Sequence, residues 1–287
     1  MCEERLREKK IDIIEGDLRP RGEELFFEGD LVVMGDVEDE AALCVDGKVE
    51  VYGTIGAAVI RAGGDIIVHG GVAGRAYLDS AGTVIVNYAN NSSIVAGGSI
   101  YIKTGATHCN LTADNEITLH PRKGLLSGGV ARAGCAITAA VVGAVPRTET
   151  RLEVGIPPLF RAESERLLNR IDRLKEELDE TRRLIELLSA DSTRLSDKAR
   201  KMAEKLPLFR MKLSYLSREL DKYLKLYRTL QELMERNGSK GIIRVLDRIY
   251  PGVIISINTA TLTVNDVMER VTFTEEGGEI RCSFEGR

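Results

Sequence analysis

This chain has few of the residues that enzymes of elongated β-proteins use. It contains no tryptophan, only 5% aromatic residues and three histidines among 287 residues. Enzymes that process polysaccharides on parallel β-helices need aromatic platforms and a pair of carboxylates on neighbouring coils. The composition therefore argues against a carbohydrate-active enzyme. We predict a non-enzymatic protein without a catalytic residue, cofactor or metal site.

Long apolar segments are also missing. The longest, Ala136 to Val145, is far shorter than the roughly 20 residues that cross a bilayer. The stretch from Met1 to Lys10 is charged and lacks the apolar core of a secretory signal. We therefore expect a cytoplasmic protein with no membrane insertion. The net charge of −4 argues against a nucleic-acid partner, because binding phosphates requires a basic face.

Glycine is absent between Ile156 and Asn237, whereas all but six of the 28 glycines precede residue 156. The glycine-rich part repeats a phrase in which small residues, Gly or Asp precede alternating apolar residues. From Asp46 onward these phrases begin 15 to 19 residues apart. Two or three short strands per repeat, with glycine at the corners, predict a parallel β-solenoid. The absence of a six-residue period favours the right-handed form.

An antiparallel sandwich or barrel is the alternative fold, since it also uses many short strands. Its hairpins would show dipeptides such as Asn-Gly or Asp-Gly between strands. Only Asp46-Gly47 occurs, and it begins a repeat. The solenoid is therefore the better interpretation, and we expect it over residues 28–155 after a lead-in at 1–27.

Apolar residues spaced alternately three and four apart predict a long antiparallel coiled-coil hairpin at 156–238. The two seams are Leu167, Ile171, Leu174, Leu178, Thr181, Ile185 and Leu188, and then Leu213, Leu216, Leu220, Tyr223, Tyr227, Leu230 and Met234. Pro207 suits the first turn of a second helix, although one kinked helix remains open. An intermolecular parallel coil is the other alternative. The tip is expected at about 190–208.

Strand-like sequence returns at 239–287, where Thr, Ile and Val alternate around the turn Tyr250-Pro251-Gly252. We expect three or four short strands that pack on or cap one end of the solenoid. The chain is thus predicted to be mainly β with an α insertion.

Basic residues are concentrated at the predicted tip, and they are the candidate partner-binding residues. They are Arg194, Lys198, Arg200, Lys201, Lys205, Arg210 and Lys212. A charge run on a coiled coil is usually a solvated face. The alternative is that an acidic protein partner docks there.

Other polar groups have structural explanations at the sequence level. Asn87, Asn90 and Asn91 suit solenoid corners or a polar groove, and Asp65, Asp79 and Asp114 suit turns. The segment from Gly124 to Gly129 lacks the Gly-Lys-Ser/Thr of a phosphate loop. His69, His108 and His120 are not spaced as ligands on stacked coils would be.

The order of these parts resembles the flagellar assembly protein A family of bacterial β-solenoid proteins. The resemblance rests on Ser127-Gly128-Gly129, on Val142-Gly143 through Val154-Gly155-Ile156-Pro157, and on the Tyr250-Pro251-Gly252-Val253 turn. It covers residues from about 28 to the end. It implies a cytoplasmic, non-catalytic protein, linked in some members to flagellar assembly or polar organisation. Members commonly carry a further N-terminal domain, which is not expected here.

Three functions are compatible with this sequence. The first is a scaffold or adaptor that presents a coiled-coil arm to a protein partner, with homo-oligomer formation left open. The second is a self-assembling cytoskeletal solenoid similar to the bactofilins. The third is a carbohydrate-active β-helix enzyme.

Overall fold

The computed structural model describes residues 10–20, 22–145, 148–156, 158–189, 205–237 and 240–284. They form two compact units, Met1–Pro158 with Gly238–Arg287, and Leu159–Asn237. The first unit is a parallel β-solenoid of about eight turns, so the predicted solenoid is confirmed and the antiparallel alternative is excluded. The right-handed sense stays a prediction.

Each coil of the solenoid contributes to three faces, and parallel pairing joins equivalent segments of successive coils. The first face consists of β1 (Ile11–Ile14), β3 (Asp30–Val33), β5 (Val49–Val51), the starts of β7 (Ile66–Val72), β9 (Val84–Asn90) and β11 (Ile100–Ala113), β12 (Glu116–Leu119), and the starts of β14 (Ala136–Val142) and β16 (Ile242–Ile249). The second face consists of β2 (Leu25–Phe27), β4 (Ala42–Val45), β6 (Val59–Ala62), β8 (Tyr77–Ser80), β10 (Ser93–Ala96), the ends of β11 and β13 (Leu125–Ala133), β15 (Thr150–Val154) and β17 (Val253–Ile257).

The third face is the least regular. In the first coils it consists of single parallel bridges that join Leu18, Val37, Ile55 and Val72. Later coils continue it through β9, β11, β13, β14 and β16, in the register Tyr88, Gly105, Leu125, Val141 and Arg248. The third face therefore changes from single bridges to strands along the chain.

Aliphatic side chains stack inside the solenoid because the pairing is in register. On the first face the inward column has no solvent exposure at any position, and it consists of Leu31, Val49, Ile66, Val84, Ile100, Ile117, Ile137 and Ile243. Burial of one such side chain stabilises a fold by about 1.5–3 kcal/mol. The period-two pattern in the sequence is therefore the cause of the core.

Aspartates at the corners link one coil to the next, which explains the recurring Gly-Asp phrase. Asp36 Oδ1 accepts hydrogen bonds from the backbone nitrogen of Thr54 at 2.6 Å and from its hydroxyl at 3.0 Å. A side chain at Gly53 would overlap this carboxylate, so glycine is needed there. The same bond is made by other aspartates to a backbone nitrogen one coil later: Asp17 to Asp36, Asp30 to Lys48, Asp39 to Ala57, and Asp65 to Thr83.

The last coil of the solenoid follows the helical segment in sequence. β16 and β17 pair in parallel with β14 and β15, which precede the helices. The remaining strands are β18 (Ala260–Thr263), β19 (Met268–Glu276) and β20 (Glu279–Phe284). They pair antiparallel with β17, β16 and β19, respectively. The C-terminal strands therefore complete the solenoid and then cover its end.

In the described part of the helical segment there are two helices of 32 residues, α1 (Pro158–Ser189) and α2 (Leu206–Asn237). At 1.5 Å per residue each is about 48 Å long. Pro207 lies in the first turn of α2, where a missing amide donor costs no intrahelical bond. A new helix therefore begins at this proline, as the sequence suggested.

Candidate partner-binding surface

The two helices pack along the seams that the sequence predicted. On α1 the residues Leu167, Ile171, Leu174, Leu178 and Thr181 are all buried. On α2 the seam is the less exposed side, and Leu216 and Leu230 are buried. Met234 is not among the side chains that the structure describes. This burial agrees with the predicted seams, while the coiled coil itself stays a prediction.

The helices run antiparallel. Leu174 and Leu178 of α1 form one cluster with Leu216 of α2, and the guanidinium of Arg170 lies 5.8 Å from the ring centre of Tyr223. Along α2, Leu216 comes seven residues before Tyr223. The α1 residues that Leu216 contacts come after Arg170, which contacts Tyr223, so the order of contacts is reversed between the helices. The end of α1 and the start of α2 are therefore at the same end of the unit. We call residues 182–189 and 205–218 its turn end.

The structure describes three of the seven candidate basic residues. Lys205, Arg210 and Lys212 lie at the turn end, and all three are exposed. Arg194, Lys198, Arg200 and Lys201 lie outside the described residues. Among the residues that the structure describes, no carboxylate lies within ion-pair distance of the three cations.

Lys205 also defines where α2 starts. Its carbonyl oxygen accepts hydrogen bonds from the backbone nitrogens of Leu208, at 3.0 Å, and Phe209, at 3.2 Å. The first turn of the helix therefore fixes the backbone around the exposed cations.

Exposed apolar side chains lie beside these cations, and the charge pattern of the sequence does not reveal them. Leu208, Met211 and Tyr215 are 62%, 70% and 63% exposed, and Leu187 of α1 is 67% exposed. In the sequence, Leu208, Met211 and Tyr215 are three and four residues apart, at positions offset from the seam residues. This second apolar stripe could have indicated the surface, but the seam alone was sufficient to predict the helix.

The histidines lie in three different settings. His69 Nε2 is 2.9 Å from Glu50 Oε1, and its ring stacks on Tyr52 with 4.6 Å between ring centres. The hydrogen bond from His69, followed by that from Lys48, lowers the pKa of Glu50. His108 occupies a left-handed backbone position with φ of 54°. The Nδ1 atom of the third, His120, accepts a hydrogen bond from a backbone nitrogen.

The remaining polar candidates have local roles in the solenoid. Asn91 has a φ of 49° and sits in the corner that His108 occupies one coil later. Asp65 accepts a backbone hydrogen bond, and burial raises the pKa of Asp114. Asp79 lines a shallow groove of about 360 Å³ with Cys44 and other residues. The segment from Gly124 to Gly129 belongs largely to strand β13, so it does not open a helix as a phosphate loop does.

Two further observations concern the described part of the chain. It contains no cluster of three or more His, Cys, Asp or Glu side chains that could hold a metal ion. Neither described helix combines the length and apolarity needed to cross a membrane.

Comparison with known proteins identifies a family. Searches of curated proteins and of solved structures give no significant match. A family model described as the flagellar assembly protein A β-solenoid domain matches residues 8–280. That match spans nearly the whole sequence, including the solenoid, both helices and most of the C-terminal strands. The chain therefore belongs to the flagellar assembly protein A family.

Proposed function

We propose that this protein is a non-enzymatic cytoplasmic scaffold of flagellar assembly, in which the solenoid carries the helical unit and the helical unit binds a protein partner. The observation that carries the proposal is the position of the helices in the chain. They interrupt the solenoid between its last two coils, after β15 and before β16. The helical unit is thus anchored in the β-structure at both of its ends.

The anchor is closely packed. A side chain at Gly241 would lie about 3.0 Å from the Cα of Gly155, so the two backbones approach each other closely. The strands on either side, β15 and β16, belong to ladders that run through the whole solenoid. Both ends of the helical segment therefore connect in sequence to paired strands of the solenoid.

A non-enzymatic role agrees with how the solenoid uses its polar side chains. Glu50 is engaged by His69 and Lys48, and Asp65 accepts a backbone hydrogen bond. Catalytic carboxylates on β-helices work as pairs that remain free to exchange protons with substrate. The carboxylates named here are instead committed to fixed bonds that hold the coils together.

Stacking into a filament is less well supported. A filament of solenoids needs an open strand edge at both ends. At the C-terminal end β16 and β17 are each paired on their outer side, with β19 and β18. Electron microscopy of purified protein should therefore show single particles rather than filaments.

The test replaces residues 159–237 by a short Gly-Ser linker in the chromosomal gene of the native host. Because Gly155 and Gly241 are neighbours, the linker needs to span only a short distance, and the solenoid is expected to fold. We expect the variant to lose flagella, counted by electron microscopy, and to lose spreading in soft agar, to the same extent as a full deletion made for comparison. Far-ultraviolet circular dichroism should confirm retained β-structure. Flagella at the wild-type number in this variant would refute the proposal.

A further inference from the structure

One side of α2 at the turn end carries an exposed apolar stripe, formed by Leu208, Met211 and Tyr215. At 3.6 residues per turn, these positions lie within about 60° of one another around the helix. They are roughly a third of a turn away from the seam through Leu216, so packing against α1 does not cover them. The stripe is about 10 Å long, which is two turns of helix.

The stripe lies in a segment that carries charge of only one sign. Residues 205–218 contain four cations, Lys205, Arg210, Lys212 and Arg218, and no Asp or Glu. The middle of α2 differs, because Glu219, Asp221 and Glu232 alternate there with basic residues. In the first turns of the helix, three exposed apolar side chains therefore lie beside cations with no acidic residue in the same segment.

We propose that this stripe docks an acidic amphipathic helix of a partner protein. Apolar anchors at positions i, i+3 and i+7 are the spacing with which one helix lies along another. Acidic side chains flanking the partner's own apolar stripe would pair with the four cations. The inference rests on the proposed function and specifies its partner: the helix adds to α2 as a third helix beside the existing pair.

Other occupants fit the stripe less well. A second copy of this segment would bring four cations against four cations, which repel one another. An anionic membrane would tolerate the charges, but membrane-bound helices need a broad apolar face along their length. Here the stripe spans two turns, and Arg218 and Lys222 follow it on the same side.

The binding test uses the purified full chain and two synthetic peptides. The first peptide has three heptads with Leu at the a and d positions and Glu at the flanking positions. The second has the same composition in scrambled order. We expect the first to bind, measured by fluorescence anisotropy, with an affinity that falls as salt rises because the cations contribute.

Variants locate the site. The combined substitutions Leu208→Ser, Met211→Ser and Tyr215→Ser should weaken binding of the first peptide by roughly 100-fold or more, since apolar anchors dominate such interfaces. Leu168→Ser is the control, because Leu168 is 39% exposed on α1, outside the turn end, and its replacement should leave binding unchanged. All four side chains are exposed, so circular dichroism should show unaltered helix content.

Several outcomes would overturn the inference. They are equal binding of the scrambled peptide, unchanged binding by the triple variant, and preferential binding to phosphatidylglycerol vesicles in a sedimentation assay. In the host, a photo-crosslinking amino acid at position 211 should capture a partner segment that is acidic and amphipathic, and a captured segment of other character would also refute it. Should the triple variant assemble flagella normally while removal of residues 159–237 abolishes them, the docking site is wrong and the scaffold role stands.

Discussion

Replacing Gly56 by alanine should destabilise the solenoid only while Asp39 is present. Asp39 Oδ1 accepts a hydrogen bond of 2.6 Å from the backbone nitrogen of Ala57, one coil later. A Cβ at Gly56 would overlap that oxygen, and its other close neighbours stay at 3.3 Å or more. The backbone of Gly56 is not in the left-handed region, so alanine is otherwise compatible with it.

The magnitudes follow from the bond that is lost. In the Gly56→Ala variant the Asp39 carboxylate must rotate away, which costs about 1–2 kcal/mol, the lower part of the range for charged acceptors because Asp39 is exposed. Alanine returns about 0.4–1 kcal/mol by restricting the unfolded chain. In an Asp39→Ala background only that gain remains. The effect of Gly56→Ala should therefore change sign, with a coupling of about 1–2 kcal/mol.

Gly53 provides the matched control. A Cβ there would overlap Asp36 Oδ1 and also the backbone carbonyl of Gly35. Removing the carboxylate with Asp36→Ala leaves the backbone overlap, so Gly53→Ala should destabilise in both backgrounds. Urea unfolding followed by circular dichroism measures the free energies, and hydrogen exchange of the Ala57 amide reports the bond directly. An equal effect of Gly56→Ala with and without Asp39 would show that the carboxylate is not what requires glycine.

Three further predictions concern other contacts. Gly71→Ala should cost about 0.5–1.5 kcal/mol, because the ring of Tyr88, which lies over this glycine and is 38% exposed, must turn away from its present position; a thermal midpoint equal to wild type would contradict the contact. Glu50 has a lowered pKa, so its contribution to stability is complete above its unfolded value near 4.5 and is lost as pH falls through the lower folded value. Urea midpoints of Glu50→Gln should therefore vary less with pH in that acidic range than those of the wild type, and parallel profiles would disprove the linkage. Leu174→Ala should lower the stability of the helical unit by about 2–4 kcal/mol, seen as an earlier loss of the signal at 222 nm. A solenoid variant, Ile60→Ala, is its control and should leave the helical signal unchanged.

Much of the fold was predictable because its signals are local. Alternating apolar residues determine which side of each short strand faces inward, and the column from Leu31 to Ile243 shows the result. The buried seam of α1 was likewise predictable from the spacing of three and four between its apolar residues. Such patterns repeat within a few residues, so a single sequence displays them without any knowledge of which segments pair.

Contacts between coils could not be predicted, because paired residues are 16 to 21 positions apart before the helices and more than 100 positions apart across them. Asp36 reads in the sequence as a turn residue, whereas its carboxylate bonds to Thr54 in the next coil. The third face begins as single bridges through Val37 and Ile55, which have no strand pattern to detect. Register is a property of the assembled stack, and local pattern alone does not fix it.

The basic residues of the candidate site were predictable from the sequence, whereas its apolar residues were not. The cations Arg210 and Lys212 stand out as a run of one sign, but the apolar stripe beside them does not. Tyr215 lies next to the seam residue Leu216 in sequence, and an apolar residue beside a seam reads as part of the core. Only its exposure of 63% in the structure separates Tyr215 from the packed side of the helix.

The solenoid explains why a helical unit of this length can be inserted without loss of the fold. Each coil contacts mainly the coil before it and the coil after it, so stability accumulates along the stack. An insertion at a corner leaves the ladders on both sides intact, provided that the chain returns to the point where it left. Gly155 and Gly241 meet that condition because neither has a side chain to hold the two strands apart. The parallel pairing of β15 with β17 then continues the stack beyond the insertion. A partner that binds the helices therefore acts on a β-structure whose pairing continues on both sides of the insertion, which is the property that a scaffold requires.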